Sequence, residues 1–333
     1  MKKILLMLFM FLLSSCMKEK IYSEMKFLLG TEVTITLTAS TPAKAYSAFD
    51  AAFAEFKKVN DTMNTFSPES DVYKVNKNAG IRPVEVSADT LNVIKKSIEI
   101  SELTDGAFDI TFGPLGEIWD FKMNPFIPPT ETSIKSAQKA VNYRFIEIKD
   151  DAVFLENANS RIGVGGIAKG YSVQLAINAL ERTGIKNAVV NAGGDIKVMG
   201  SKNGKEWRSA VQHPRENRFI AILPVKDGES VVTSGDYERV AFYKGQRYHH
   251  IIDTKSGRPT STFSSVTVVM SDPEYADALA TSFFVMGLEK TKKFLEQHSD
   301  ISVLLIDLDL KVYASENLKS RLEFPEPVDV EWF

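Results

Sequence analysis

Hydrophobic and polar positions alternate strictly over Thr31–Ala39. Val33, Ile35 and Leu37 fall on one face; Glu32, Thr34, Thr36 and Thr38 fall on the other. This period of two predicts a half-buried strand. After Thr41-Pro42 the period becomes helical, with Phe49, Ala52, Phe53, Phe56 and Val59 on one face as far as about Phe66. Ser67-Pro68-Glu69-Ser70-Asp71 breaks this helix, a short segment runs to Asn76, and a turn follows around Asn78-Ala79-Gly80. Ser87-Ala88-Asp89 caps a second helix with Leu91, Ile94 and Ile98 inward, which stops at Thr104-Asp105-Gly106. Residues 107–115 are apolar but interrupted by Asp, Gly and Pro, which argues against an ordinary central strand. A Pro-rich loop over 124–129, a small helix, and strands near 145–148 and 152–155 complete the first half.

The second half is organised around residues 163–180, GVGGIAKGYSVQLAINAL. A strand-like run, three glycines (Gly163, Gly165, Gly166) and a helix-like run over 172–180 form a layout that brings backbone N–H groups close to a phosphate. The stretch is not a P-loop, because Gly170 rather than Ser or Thr follows Lys169. It fits only the relaxed dinucleotide fingerprint, with Ala168 in the third glycine place and Asn191 where an acidic residue is expected. A tight turn before a packed helix is the plain alternative. A strand over 187–190 then runs into Gly193-Gly194-Asp195. Short strands over 207–212, 219–224, 230–234, 239–243, 248–252 and 264–270 predict an antiparallel meander. Helices over 274–288 and 289–298 and strands over 301–306 and 311–314 close the chain. Helices and strands without strict alternation predict an α+β fold with mixed or antiparallel sheets and packed helices.

Composition alters this picture little, and the N-terminus alters it more. The 333 residues are 44% hydrophobic and 25% charged, ordinary for a globular protein, and a net charge of -3 gives no electrostatic footprint for nucleic acid. Met1-Lys2-Lys3 followed by the apolar run 4–13 is too short to span a bilayer and has the form of a signal peptide. Ser14-Ser15 before Cys16 suits a lipoprotein signal peptidase, and Cys16 is the single cysteine. The expected organisation is a signal over 1–15, a lipidated Cys16, a tether over 16–28 and one domain over 29–333. Acyl chains at Cys16 would hold the globular part at a membrane surface outside the cytoplasm, on the periplasmic side of the inner membrane. A plain secretory signal with an incidental cysteine is the alternative.

Candidate chemistry lies in three places. Asp277 and Thr281 are four apart in an apolar helix and share one face. A carboxylate there needs a partner, and Asp plus a Thr hydroxyl suits Mg²⁺; a backbone or lysine partner would also serve. His250 sits at a strand end, where it could act as an acid or base or simply line the core. Thr233-Ser234-Gly235-Asp236-Tyr237 reads as a polar turn.

Taken together and in order, these blocks resemble the ApbE family of FAD:protein FMN transferases. The set is Ala107-Phe108-Asp109 with Gly113-Pro114, Gly165-Gly166-Ile167-Ala168-Lys169-Gly170-Tyr171, Asn191-Ala192-Gly193-Gly194-Asp195, Thr233-Ser234-Gly235-Asp236-Tyr237, His250-Ile251-Ile252-Asp253 and Ala276-Asp277 with Thr281. The resemblance covers roughly residues 29–288. It implies an ApbE-like fold and an enzyme that binds FAD and Mg²⁺. A threonine hydroxyl of a target flavoprotein attacks the FMN-side phosphorus, and AMP leaves. By the resemblance, Ala168 (through its carbonyl), Asp277 and Thr281 match metal ligands. Leu29, Phe66, Ala107, Phe108, Asp109, Gly163, Lys169 and His250 match positions that hold FAD, and His250 and Asp277 are tied to activity. The family usually has Asp at Gly163, Met at Leu29, Tyr at Phe66 and Pro at Thr254. Some relatives hydrolyse FAD to FMN and AMP instead, and a flavin-binding lipoprotein without chemistry is a third reading.

Overall fold

The computed structural model describes residues 19–333, so the signal segment and Cys16 lie outside the described residues. The first described elements are β1 (Lys20–Leu28) and β2 (Thr31–Ala39), an antiparallel pair in register from Lys20↔Ala39 to Leu28↔Thr31. The alternation of β2 is as predicted, with Val33, Ile35 and Leu37 fully buried. The tether expected over 16–28 is corrected here. From Lys20 onward it is a strand, because its backbone N–H and C=O groups pair along the free edge of β2.

Helix α1 (Pro42–Met63) starts on Thr41, whose hydroxyl accepts from the Lys44 N–H, and ends three residues before the expected Phe66. The segment to Asn76 is helix α2 (Asp71–Lys77), capped by Ser70. Strand β3 (Val84–Glu85), α3 (Ala88–Leu103) on its Ser87 cap, α4 (Gly113–Ile118) and α5 (Glu131–Gln138) follow. Strands β4 (Ile146–Lys149) and β5 (Ala152–Leu155) then lead to α6 (Ala168–Arg182). Next come β6 (Ala188–Ala192) and β7 (Asp195–Met199), joined by Gly193 and Gly194 at positive φ. A Cβ on Gly193 would sit 2.2 Å from Thr31 Oγ1, so the turn requires glycine to lie against the start of β2.

The expected single meander over 207–270 is also corrected. β8 (Trp207–Gln212) and β9 (Phe219–Val225) form a separate hairpin, whereas β10 (Ser230–Gly235) enters the main sheet. β11 (Val240–Tyr243) pairs only with β12 (Gln246–His249), and β13 (Ile252–Asp253) only with β14 (Arg258–Pro259). β15 (Phe263–Met270) returns to the main sheet. Burial explains the split. Every residue of β15 is buried, as suits a strand covered on both faces, while β8 alternates buried and exposed positions. Helices α7 (Pro273–Met286) and α8 (Leu288–Leu295) and strands β16 (Ser302–Asp307), β17 (Val312–Ala314) and β18 (Val330–Trp332) end the chain.

The main sheet has nine strands in the order β1-β2-β6-β7-β10-β15-β16-β17-β18, antiparallel except between β17 and β18. The α+β prediction with a mixed sheet therefore matches the architecture. One face carries helices: α1 and α6 over β2 and β6, and α7 over β10 and β15. The other face carries the β8–β9 hairpin and the C-terminal segment, with Trp207, Leu223 and Val225 against Val198, Val231 and Val269.

Helices α6 and α7 cross at Gly170. A Cβ there would stand 2.1 Å from the Pro273 carbonyl oxygen, so no larger residue fits without moving a helix. Gly170→Ala should lower the unfolding free energy by about 1–3 kcal/mol through this overpacking. The measurement is urea unfolding, where a lower midpoint at unchanged slope is expected. An unchanged midpoint would mean the two helices can slide apart freely.

Candidate active site

The loop before α6 is held by main-chain bonds rather than by a strand. The run preceding Gly163 makes only an isolated bridge, Arg161 to Phe112, and the Gly163 N–H donates to the Ile110 carbonyl at 2.8 Å. Helix α6 begins at Ala168, four residues earlier than the periodicity implies, and its N-cap Ile167 offers no capping side chain. The cap comes instead from the neighbouring helix. Asp277 on α7 accepts the Gly170 N–H through Oδ2 at 3.2 Å. One of the N–H groups expected to face a phosphate is therefore already taken.

Lys169, in the first turn of α6, joins three elements. Its Nζ donates to Asp195 Oδ2 on β7 at 2.6 Å and to Asp277 Oδ1 on α7 at 3.1 Å. Both carboxylates are buried, while the lysine side chain is 27% exposed. Burial works against the Lys169 ammonium, but Asp195 and Asp277 hold its proton more tightly than in water. Burial, and then the Asp277 charge, pushes the Asp195 carboxyl well above the usual carboxylate range despite Lys169. Two acids thus share one ammonium, and Asp195 Oδ1 is buried without a hydrogen-bond partner.

Thr281 lies one turn beyond Asp277. A Cβ on Gly166 would be 3.6 Å from Thr281 Oγ1 and 3.3 Å from the Phe108 ring, so the Gly-rich loop, Phe108 and Thr281 meet at one point. His250 is not in a strand as expected; it is a bend between β12 and β13, tied by its N–H to the Arg239 carbonyl at 3.2 Å. Its Nδ1 is buried and unpartnered. Burial first, and then the positive charges of Arg239 and Lys169 among its neighbours, lowers its imidazole to about 3. His249 is the structural histidine of the pair: its Nε2 meets the Thr260 carbonyl at 2.9 Å, and its ring lies against Phe284.

The other sequence-selected residues divide. Ala107 and Phe108 are buried in the loop after α3. Asp109 is committed internally: Oδ1 accepts from the Thr111 N–H and hydroxyl, and Oδ2 from the Tyr143 N–H at 2.8 Å. Its carboxylate braces the loop, which leaves the backbone around it as the surface presented to a ligand. Leu29 has φ 52° and packs against the two cores on the helical face. Phe66 is 86% exposed. Gly163 lies under Phe112, whose ring would be 3.2 Å from a Cβ there. The Ala168 carbonyl accepts from Ser172 Oγ at 2.7 Å in addition to its place in the α6 ladder. Sequence reasoning did not single out Asp195 as a site residue. The signal was present in the acid that follows Gly193-Gly194 at the end of a strand.

Among the described residues no group of three or more His, Cys, Asp or Glu side chains could hold a metal ion. The donor set at Asp277 is different: carboxylate, hydroxyl and carbonyl oxygens, beside a buried acid with an unused oxygen. Hard oxygens with an uncompensated negative charge fit Mg²⁺. A recess of about 430 Å³ opens on another side of α6 and α7, lined by Lys96, Tyr171, Gln174 and Glu274. It contains neither Lys169 nor Asp277 and is separate from this site.

Comparison with known proteins places these features in a lineage. The family model described as the ApbE family matches residues 29–305. The chain is 33% identical over 274 residues to an FAD:protein FMN transferase of Vibrio cholerae, covering 80% of this chain and 82% of that protein. It is 27% identical over 321 residues to one of Treponema pallidum, covering 90% and 88%. Among solved structures, an ApbE protein of Thermotoga maritima superposes with a TM-score of 0.85 at 32% identity, over 91% of this chain and 99% of that one. The flavin transferase ApbE of Vibrio cholerae superposes at 0.82 with 30% identity, over 91% and 100%. The chain belongs to the ApbE family.

Proposed function

We propose that this protein transfers the FMN half of FAD to a threonine hydroxyl of acceptor flavoproteins, releasing AMP, with Mg²⁺ held by Asp277, Thr281 and the Ala168 carbonyl. The observation that carries this reading is the Lys169–Asp195–Asp277 cluster, which meets Thr281 and Phe108 at the Gly-rich loop. In the transfer, the threonine oxygen bonds to the FMN-side phosphorus. The bond from that phosphorus to the bridging oxygen breaks, and AMP leaves with both electrons of the bond. Such chemistry depends on positioning and charge neutralisation more than on a strong nucleophile. When bound, Mg²⁺ supplies Lewis-acid neutralisation of the pyrophosphate oxygens. Lys169 contributes a fixed positive charge and keeps Asp277 aimed into the site. Ala107, Phe108 and the backbone at Asp109 form one wall for the flavin nucleotide. His250, neutral and with Nδ1 unpartnered, can accept a hydrogen bond from the attacking hydroxyl or orient the pyrophosphate.

The site needs no disulfide or redox group. The N-terminal pattern, residues 4–13 followed by Ser14-Ser15-Cys16, supports a lipoprotein whose globular part stands outside the cytoplasm, on the periplasmic side of the inner membrane. No helix among the described residues is long and apolar enough to cross a membrane. Hydrolysis of FAD by water is the competing reaction, and Gly163, without the carboxylate that the family usually has at that place, bears on FAD affinity and on the balance between the two.

With FAD, Mg²⁺ and an acceptor flavoprotein domain, intact mass should show the acceptor gaining one FMN; free FMN and AMP with no gain would make the protein a pyrophosphatase, and FAD left intact would make it a binder. EDTA should abolish transfer, and Asp277→Asn should slow it by about 1,000-fold or more, since the charge that holds the metal is lost. His250→Ala should lower the rate by about 100-fold with FAD affinity retained. The sign of the His250 shift sets its pH dependence. A depressed imidazole is uncharged both above its unfolded value near 6.5 and down to about 3 in the fold. The ratio of wild-type to variant rate should therefore be the same at about pH 6 and pH 8. A ratio that fell steeply below pH 7 would show that His250 protonates there and is not held neutral.

A further inference from the structure

Strand β1 carries its pattern inside out. Tyr22, Glu24, Lys26 and Leu28 turn toward α1. Tyr22 and Leu28 pack on the core beneath it, and Lys26 lies 3.1 Å from Glu24 and 4.3 Å from the centre of the Phe53 ring. Ile21, Met25 and Phe27 take the opposite face and are 42%, 55% and 70% exposed. A slip of one residue in the pairing with β2 would bury all three, yet the register places them outward. Single exposed apolar residues are ordinary, but a row of them along the edge strand of a nine-stranded sheet is a liability that folds normally mask with charge. On the same side of the sheet, Phe219 is 55% exposed beside Val189 at a recess of about 300 Å³ between β6 and the β8–β9 hairpin.

We propose that this face of β1 seats on the lipid surface in which Cys16 is anchored. The inference rests on the lipoprotein reading above. Only four residues take the chain from Cys16 to Lys20, a span of at most about 14 Å, which is too little for a free tether. The strand then runs about 27–30 Å, about twice that reach, so its apolar row meets the lipid when β1 lies along the surface. Held that close, an apolar row gains by leaving water for the interfacial layer, which buries apolar groups about 5–10 Å deep. The end of β1 is one strand away from the turn that leads to Asp195: Leu28 pairs with Thr31 of β2, and the Gly193 N–H donates to the Glu32 carbonyl of β2 at 3.0 Å. Seating the strand thus fixes how far the catalytic cluster stands from the bilayer, and the partner class it favours is a membrane-bound acceptor.

The test uses the full-length lipidated protein in vesicles of phosphatidylethanolamine and phosphatidylglycerol. Met25→Cys and Phe27→Cys variants carry a nitrobenzoxadiazole label; Phe242→Cys, at a 61% exposed position on β11, is the reference. Doxyl lipid should quench the labels at 25 and 27 by at least about twofold and leave the one at 242 unchanged. Acyl mass on Cys16 and flotation with the vesicles, but no quenching at 25 or 27, would overturn the seating while leaving the lipoprotein reading intact. Absence of acyl mass together with absence of flotation would remove the anchor and the seating together. Shielding of both labels without lipid, at a dimer mass, would assign the face to a second copy and overturn the proposal. As a separate readout, Met25→Ser should leave transfer to a soluble acceptor unchanged and reduce transfer to a vesicle-embedded acceptor several-fold. Equal rates on the embedded acceptor would count against the proposal.

Discussion

Two buried carboxylates held by one ammonium tie the sequence-distant parts of this protein together. Asp195 comes from β7, Asp277 from α7 and Lys169 from α6, and none of the three could be buried alone without a large desolvation cost. The contact demands a close crossing of α6 and α7, which Gly170 permits, and a tight β6–β7 turn, which Gly193 and Gly194 permit. The same cluster supplies the N-terminal cap that α6 lacks, through Asp277 and the Gly170 N–H. Fold and candidate site are in this sense one arrangement: the interaction that registers the helices on the sheet also brings Lys169, Asp195 and Asp277 together.

The electrostatics around that cluster are uneven. On the Asp277 side, burial and then the Asp277 charge raise Asp195 despite Lys169, and its second oxygen has no hydrogen-bond partner. At His250, burial first and then Arg239 keep the imidazole unprotonated.

The two faces of the main sheet divide the work in a different way. The helical face, under α1, α6 and α7, holds the cores on which Leu29, Phe108 and the Gly-rich loop rest. The opposite face is covered by the β8–β9 hairpin over its middle strands, whereas β1 leaves Ile21, Met25 and Phe27 in the open. Backbone pairing with β2 holds β1 in place whichever side its apolar residues take, so the outward register is compatible with a stable edge.

Much of this was legible in the chain itself, because local signals act over a few residues. The strict alternation of Thr31–Ala39 determined β2, and hydroxyl caps at Thr41 and Ser87 determined where α1 and α3 begin. The ordered glycine and aspartate blocks determined the family and placed Lys169, Asp277 and Thr281 in one site. Other features depended on partners far along the chain. Asp195 joined the site only because β7 lies beside α6, and Asp109 turned inward only because Thr111 and Tyr143 met it. The presumed tether became β1 because β2 had an unpaired edge, and the presumed meander divided because β10 and β15 are covered on both faces while β8 is not. Periodicity and capping are properties of neighbours in sequence, so the chain alone determined the elements. Burial, sharing of charge and strand pairing are properties of neighbours in space, so only the tertiary structure decided which elements meet and what their side chains do there.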